Sequence, residues 1–357
     1  MAAKKIGLIL PGAIWFAPFV RNYTRILDTM DVDYSIISWS RDGEDKPEGF
    51  QYKEKPKGGN GTATIKEYIG YVNFVKETVH REKYDKLIVF CSQSVCLLAD
   101  LLLFHYRGKF MIDYRDLSIE QRFGYKQLYS FMLKRSALNV ISSPGFKRCL
   151  PNLNYIISHN FDETAVRHVL SSENNEHDFN VKNGIDVLTI GGIRDYSSNV
   201  QVIDGLANKE NVTLRFIGRG ASAAQLEEYS RNNVVKNVTF KGYYEKQEEP
   251  KIVKSSSFLN IFYPRIITHD TALSNRFYNS LLYKRPMIVT KNTTQGDYAE
   301  KYGVGIAVEN CNNLVQEMRH FLTCNYDDYA KRCDNLLKDF LKEQEIFVSS
   351  VRKFILS

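Results

Sequence analysis

The sequence predicts an α/β protein made of two doubly wound parallel-sheet domains. Three observations predict it. At 357 residues the chain exceeds what one hydrophobic core usually organises. Short apolar runs alternate with longer segments of helical spacing, the rhythm of parallel strands joined by crossover helices. That rhythm stops at a polar tract, 171–183 (SSENNEHDFNVKN), and begins again after it.

In the first half, Ile6–Leu10 is a buried strand closed by Pro11-Gly12. Phe19, Tyr23, Ile26, Leu27 and Met30 give Ala17–Met30 a helical stripe. Asp33–Ser38 is a strand, and Asp42–Asn60, rich in Gly, Pro and Lys, is a loop. Thr64–Arg81 is a helix, Lys86–Phe90 a strand, Ser94–Tyr106 a helix and Lys109–Asp113 a strand. Asp116–Arg135 reads as one helix, Asn139–Ser142 as a strand, and Ser143-Pro144-Gly145 opens a helix. Tyr155–Ser158 is the last short strand of this half.

The second half repeats the pattern. Asp186–Ile190 is a strand with the exit Gly191-Gly192-Ile193-Arg194, followed by a helix through Val200–Ala207. Val212–Ile217 exits through Gly218-Arg219-Gly220 into a helix ending at Asn232, and Val238–Phe240 is a strand closed by Gly242. Pro250–Ser255 is a short helix and Phe258–Phe262 a strand. Thr271–Thr290 (TALSNRFYNSLLYKRPMIVT) is one helix-to-strand step, Val304–Val308 a final strand, and Asn312–Leu322 and Tyr326–Phe354 are helices. The boundaries that follow are 1–165, a linker at 166–183, 184–335, and a C-terminal helix at 336–357.

The composition, 43% hydrophobic and 25% charged, is that of an ordinary soluble globular protein. The net charge of +7 favours an anionic partner: a nucleotide diphosphate, an anionic lipid surface or nucleic acid. Lys and Arg form no dense run and no nucleic-acid module is present, so nucleic acid is set aside. The six cysteines have no CxxC pair and read as reduced thiols of a cytosolic protein. The apolar start is broken by Pro11 and Gly12, and it reads as a strand instead of a secretion signal.

The step at Thr271–Thr290 carries the clearest chemistry. A helix N-terminus presents free N–H groups and the positive end of the helix dipole, and so welcomes an anion. Ser274 and Asn275 stand at that entry and Asn279 lies one turn later on much the same face. Gly192 and Arg194 mark one strand exit and Arg219 another. Glycine lets backbone approach a phosphate, and Arg matches a diphosphate with two donors. A tight turn explains any single glycine equally well. No GxGxxG follows the first strand, which counts against a dehydrogenase.

Around 120 residues in order, from TIGGIRDYSSNVQVIDGLAN through NVTLRFIGRGASAAQLEEY and NVTFKGYYEKQEEPKIVKSSSFLNIFYP to ALSNRFYNSLLYKRPMIVT, resemble the GT-B nucleotide-sugar glycosyltransferases. The bacterial enzymes that build capsule, O-antigen or exopolysaccharide are the most similar group. MIDYRDLS and NVISSPGFKRCL in the first half are similar to the same family. The resemblance implies two Rossmann-like domains, with the acceptor in the N-terminal one and the nucleotide diphosphate sugar in the C-terminal one. The last helix is then expected to return to the N-terminal domain, and domain closure to assemble the site.

By that resemblance Arg194 stands near the donor phosphates, Ser274 and Asn275 cradle the diphosphate, and Arg276 replaces the usual Lys. Gly242 and Tyr243 fall where the nucleotide base is met. Asn279 takes the place of the Glu that binds the ribose, and Thr271 that of its partner Glu, so both carboxylates are absent. Asp270 or Asp297 are the substitutes at hand, and His269 is a candidate phosphate contact. On the acceptor side Asp113 and Asp116, with Arg115 between them, end a strand where a carboxylate can orient or deprotonate a hydroxyl; an Asp–Arg pair pinning a loop is the alternative. Gly12, Ala13 and Trp15 form the first strand exit of that cleft, and His159 and Asn160 its hinge.

No HxH or HExxH spacing and no DxD at a strand exit is present, so a metal-independent reaction without a cofactor is expected. The expected acceptor is a glycan or lipid-linked glycan in cell-surface polysaccharide synthesis. The expected location is the cytoplasm, with peripheral contact at the inner face of an anionic membrane. A binding protein that has lost catalysis, and a nucleotide-sugar epimerase of the same fold, are the alternatives.

Overall fold

The computed structural model describes residues 4–43, 49–58, 63–172, 184–324, 326 and 328–357. The chain packs as two compact units. One runs to His159 and takes in Glu343–Ser357; the other is Asn160–Lys342. The linker expected at 166–183 falls partly on residues 173–183, outside the described residues.

In the first unit the elements are β1 (Lys5–Ile9), α1 (Val20–Asp28), β2 (Asp33–Trp39), β3 (Phe50–Tyr52), α2 (Ile65–Glu82), β4 (Lys86–Phe90), α3 (Cys91–Leu97), α4 (Ala99–Phe104), β5 (Phe110–Tyr114), α5 (Tyr125–Leu133), β6 (Leu138–Ile141) and β7 (Ile156–Ile157). The sheet order is β3-β2-β1-β4-β5-β6-β7 with every pair parallel. In the second unit α6 (Glu163–Ser171) precedes β8 (Ile185–Gly192), α7 (Tyr196–Leu206), β9 (Val212–Arg219), α8 (Ala223–Asn232), β10 (Val238–Lys241), α9 (Glu249–Lys254) and β11 (Phe258–Ile261). There follow α10 (Ile267–Thr271), α11 (Asn275–Leu282), β12 (Met287–Thr290), α12 (Thr294–Tyr302), β13 (Gly305–Val308), α13 (Leu314–Cys324) and α14 (Tyr329–Leu356). This sheet is also parallel, in the order β10-β9-β8-β11-β12-β13. In each sheet the order reverses beside the first strand, and ligands bind at the strand C-termini there.

Continuous apolar strands give each sheet a core on both faces. In the second unit Leu188, Ile190, Leu214, Phe216, Leu259 and Val289 meet Phe277 and Leu281 of α11. In the first, Ile6, Leu8, Ile88 and Met111 meet Val20, Tyr23 and Leu27 of α1, and also Phe347, Val351, Phe354 and Ile355 of α14. The C-terminal end of α14 is capped from the first unit. Lys4 Nζ donates to the carbonyls of Ile355 (2.9 Å) and Leu356 (2.7 Å), and Lys86 Nζ to that of Phe354. Ammonium groups at this end satisfy orphan carbonyls and oppose the helix dipole.

Four expectations needed correction. The stretch read as a loop at Asp42–Asn60 contains β3, three residues and too short to show a period. Ser94–Tyr106 is two helices, α3 and α4, broken at Leu98. Asp116–Arg135 is not one helix. Glu120 turns inward to accept from Ser92 Oγ, Tyr114 Oη (2.7 Å) and the Ser118 amide, and Gly124 at φ +85° starts α5 afresh. Pro144–Arg148 is a 3₁₀ turn. Helices α6, α10 and α12 had no counterpart in the reading of the sequence. No helix among the described residues is long and apolar enough to cross a membrane.

Candidate functional site

The site is built at the C-terminal ends of β8 and β11. Strands β8 and β9 stay paired to their last residues, Gly191 with Gly218 and Gly192 with Arg219. A Cβ on Gly218, at φ +139°, would lie 2.0 Å from the Gly191 carbonyl, and one on Gly220 2.0 Å from that of Ile193. These two glycines are therefore required by backbone packing. Gly191 also needs its glycine, at φ +91°. Gly192 is different: only the Arg194 side chain is near, at 3.5 Å, so its α-carbon is open to the cavity.

The cavity has a volume of about 410 Å³ and is walled by β8's exit, α10, the entry of α11 and the segment leading into α9. Ser274 caps α11, accepting from the Phe277 amide at 3.3 Å. Its own donors are taken: the Ser274 amide (3.1 Å) and hydroxyl (2.7 Å) both donate to Gln295 Oε1, from α12. The Gln295 amide oxygen thus occupies the place an anion would take at this helix entry. Asn275 also lines the cavity, and its Oδ1 accepts from Asn160 at 2.9 Å.

The two arginines differ. Arg276 is buried, and its guanidinium donates to three strand-end carbonyls, those of Ile190 (2.5 Å), Asn260 (3.2 Å) and Gly192 (2.8 Å). It ties β8 to β11. Arg194 is exposed on the cavity wall, and its side chain makes no hydrogen bond or ion pair with the other described residues.

Asn279 faces a carboxylate that the sequence reading missed. Its Nδ2 donates to Glu249 Oε1 at 2.9 Å; Lys246 Nζ reaches the same oxygen, and Tyr244 Oη donates to Oε2 at 2.7 Å. Burial drives the Glu249 carboxyl toward its neutral form. The hydrogen bonds from Lys246, Tyr244 and Asn279 outweigh that, holding its pKa below the ordinary value and the group ionised. Glu249 opens a short helix from an acidic run, EKQEEP, and nothing in that run distinguishes it from Glu248.

Gly242, Tyr243 and Arg219 are not brought to this cavity. Tyr243 is 56% exposed, donates to Glu245 (3.1 Å) and lies under the Arg219 guanidinium at 5.1 Å. Its neighbour Tyr244 is the residue that lines the wall. His269 lines it too, stacked on Tyr263 with centroids 4.8 Å apart and with Nε2 3.4 Å from Asp195 Oδ1. Thr271 is buried, its hydroxyl on the Ile267 carbonyl at 2.7 Å; Asp270 is ion-paired with Arg265 at 2.8 Å; neither these nor Asp297 is among the cavity's walls.

In the first unit Asp113 is fully buried. Its Oδ2 accepts from Tyr23 Oη (2.6 Å) and Arg115 (2.7 Å), and Arg115 also donates to the Ser158 carbonyl (3.0 Å) and hydroxyl (2.9 Å). In this position it is the counter-ion that fixes Arg115, while Asp116 is exposed. Gly12 has open space around it, and Ala13 precedes a 3₁₀ turn. Trp15, 53% exposed, lines a hollow of about 580 Å³ with Arg21, Thr24 and Tyr34. His159 is buried and bonded through Nε2 to Glu343 at 2.6 Å. Among the described residues no group of three or more His, Cys, Asp or Glu is disposed to hold a metal ion.

No protein-family model and no curated protein matches the sequence. Solved structures match over the whole chain. Sucrose-phosphate synthase from Thermosynechococcus elongatus has a TM-score of 0.71 at 12% identity, covering 99% of each chain. A glycosyltransferase from Rickettsia africae has a TM-score of 0.70 at 12% identity, covering all of both chains. Anabaena HepE in complex with UDP-glucose has a TM-score of 0.65 at 12% identity, covering 98% of this chain and 99% of that one. The fold is thus two Rossmann-like α/β domains of the GT-B kind, similar to those of solved glycosyltransferases.

Proposed function

We propose that the protein is a glycosyltransferase that takes its sugar from a nucleotide diphosphate donor bound in the cavity of the second unit. The observation that carries the reading is the pairing in one cavity of an uncommitted guanidinium, Arg194, with a buried, ionised carboxylate, Glu249. An arginine without a counter-ion suits a diphosphate. A carboxylate that accepts well and cannot donate suits a pair of sugar hydroxyls. The shared fold supports the reading, HepE having been solved with UDP-glucose.

On this reading Arg194 meets the diphosphate and stabilises the charge that builds up on it as the glycosidic bond breaks, a task done without a metal ion. A phosphate oxygen takes the two Ser274 donors from Gln295. Glu249 receives the ribose hydroxyls in place of the carboxylate absent at Asn279. The acceptor, a glycan or lipid-linked glycan of cell-surface polysaccharide synthesis, enters the first unit at the Trp15 hollow, where the exposed ring offers a sugar its apolar face.

A second reading, a binder without turnover, is favoured by one observation. Thr271 and Asp270 are both committed within the protein, so no carboxylate stands where the donor sugar's partner is expected. Calorimetric titration with UDP and an assay for UDP released from UDP-sugars separate the readings. Binding with release supports transfer, binding without release supports the binder, and failure of every nucleoside diphosphate to bind overturns both.

A further inference from the structure

A second hollow of the first unit has no part in the donor and acceptor readings. Its volume is about 450 Å³, and it lies between the C-terminal turn of α2, α4 and the segments leading into β4 and β5. That is the N-terminal edge of the sheet, the opposite end from the strand exits at Trp15 and Asp113. Four exposed bases converge on it: His80 and Lys83 from the end of α2 and its cap, His105 from the end of α4, and Lys109 ahead of β5. Their side chains make no hydrogen bond or ion pair with the other described residues. Among the described residues the one acid in the wall, Asp100, is already paired with Lys76 at 2.5 Å. The charge is felt nearby. Burial lowers the pKa of the Lys86 ammonium, and the Lys4 and Lys109 charges lower it further against an opposing Asp85. Rings form part of the wall. Tyr106 Oη donates to the Tyr84 carbonyl and Tyr84 Oη to Ser35 Oγ, both at 3.0 Å, so these two line the hollow as rings with their hydroxyls committed. Phe104, 81% exposed, lines it too.

We infer that this hollow binds a phosphomonoester carried on a ring, a nucleotide or a sugar phosphate. Such an ester brings close to two negative charges and three acceptor oxygens at neutral pH. Uncommitted imidazole and ammonium groups are the donors that suit them. Phe104 offers an apolar face to the base or sugar that carries the phosphate, and burying it removes a large exposed ring from water. Cations at a helix C-terminus also oppose the helix dipole. That accounts for His80, Lys83 and His105, but not for Lys109, for the exposed Phe104 or for the hollow between them. A concave site with a few convergent polar groups fits a small ligand. The hollow belongs to the first unit and the donor cavity to the second, so the inference does not rest on the donor reading.

The test is calorimetric titration of the full chain with AMP, glucose 6-phosphate and inorganic phosphate, with adenosine and glucose as neutral controls. Binding of an ester, weakened by salt and absent for both neutral compounds, is expected. Combining His80→Gln, Lys83→Ser and Lys109→Ser lowers ester affinity roughly 10- to 100-fold. Phe104→Ser lowers it about fivefold and leaves the weaker binding of inorganic phosphate unchanged. All four side chains are exposed, and an unchanged melting temperature without ligand shows that the variants are folded. A preference for AMP that Phe104→Ser removes assigns the site to a nucleotide; a preference for glucose 6-phosphate assigns it to a sugar phosphate. No binding of either ester, equal binding of the neutral compounds, or full binding by the triple variant overturns the inference, the last because the ester then sits elsewhere. So does inorganic phosphate binding as tightly as the esters, since the rings then contribute nothing.

Discussion

Asn279 and Glu249 form a hydrogen-bonded pair, Nδ2 to Oε1 at 2.9 Å, that returns a carboxylate to a helix face from which it is missing. The helix position holds an amide, and the carboxylate arrives 30 residues earlier in the chain, at the start of α9. An amide is the suitable partner for it, because Asn can donate to a carboxylate where a second Glu would repel it.

Glu249→Ala should therefore weaken UDP binding by roughly 10- to 100-fold, the range for a hydrogen bond to a charged group. The effect should vanish with a 2′,3′-dideoxy nucleotide, which lacks the hydroxyls. Calorimetric titration of both ligands is the measurement. An equal loss for the two would place Glu249 away from the ribose.

The two cavity arginines should separate. Arg194→Ala leaves stability within about 0.5 kcal/mol and weakens diphosphate binding by about tenfold or more, with little effect on a nucleoside lacking phosphate. Arg276→Ala removes a cation that satisfies three buried carbonyls and should cost about 3 kcal/mol or more of stability. Thermal melts with and without UDP give both quantities.

Deletion of Glu343–Ser357 should abolish cooperative folding of the first unit. It removes Phe347, Val351, Phe354 and Ile355 from the core, including the edge-on contact of Phe347 with Tyr23 at 5.1 Å. At about 1.5–3 kcal/mol for each buried side chain, the loss is of the order of a whole domain's stability. Loss of the near-ultraviolet circular dichroism is the expected result. Lys86→Met should be milder, because Lys4 still caps the helix.

His159 predicts a pH dependence. Burial lowers its pKa below the ordinary 6.5; the hydrogen bond it donates to the Glu343 carboxylate opposes this in part, and the Arg115 charge adds to the lowering. A base with a depressed pKa in the folded state is held neutral there, so protons bind preferentially to the unfolded chain. The resulting stability is present above pH 6.5 and lost as pH falls through the folded value. Denaturant midpoints should therefore drop between about pH 7.5 and pH 5.5, and His159→Gln should flatten that drop. Glu249, whose pKa is also lowered, acts in a separate window that begins below the ordinary 4.5.

Much of the fold is legible in the sequence, because both of its signals are local. Apolar runs such as Ile6–Ile9 and Met287–Val289 are buried on two faces and read as parallel strands, and the stripe of α1 reads as a helix. The same holds for part of the site. The Ser274 cap, the exposed Arg194 and the open Gly192 follow from chain position at a strand exit or helix start.

What the tertiary structure decided is where each polar group is spent. Arg194 and Arg276 are the same residue type at two predicted phosphate positions, yet one meets solvent and the other three carbonyls. Asp113 carries the charge expected of a catalytic carboxylate but lies in the core against Arg115. Gln295 fills the helix entry at Ser274, and Glu249 supplies the carboxylate beside Asn279, both from other elements. The sequence determines which side chains exist and which local structure holds them. Which of them remain available to a ligand depends on partners distant in the chain, and only folding brings those within hydrogen-bond reach.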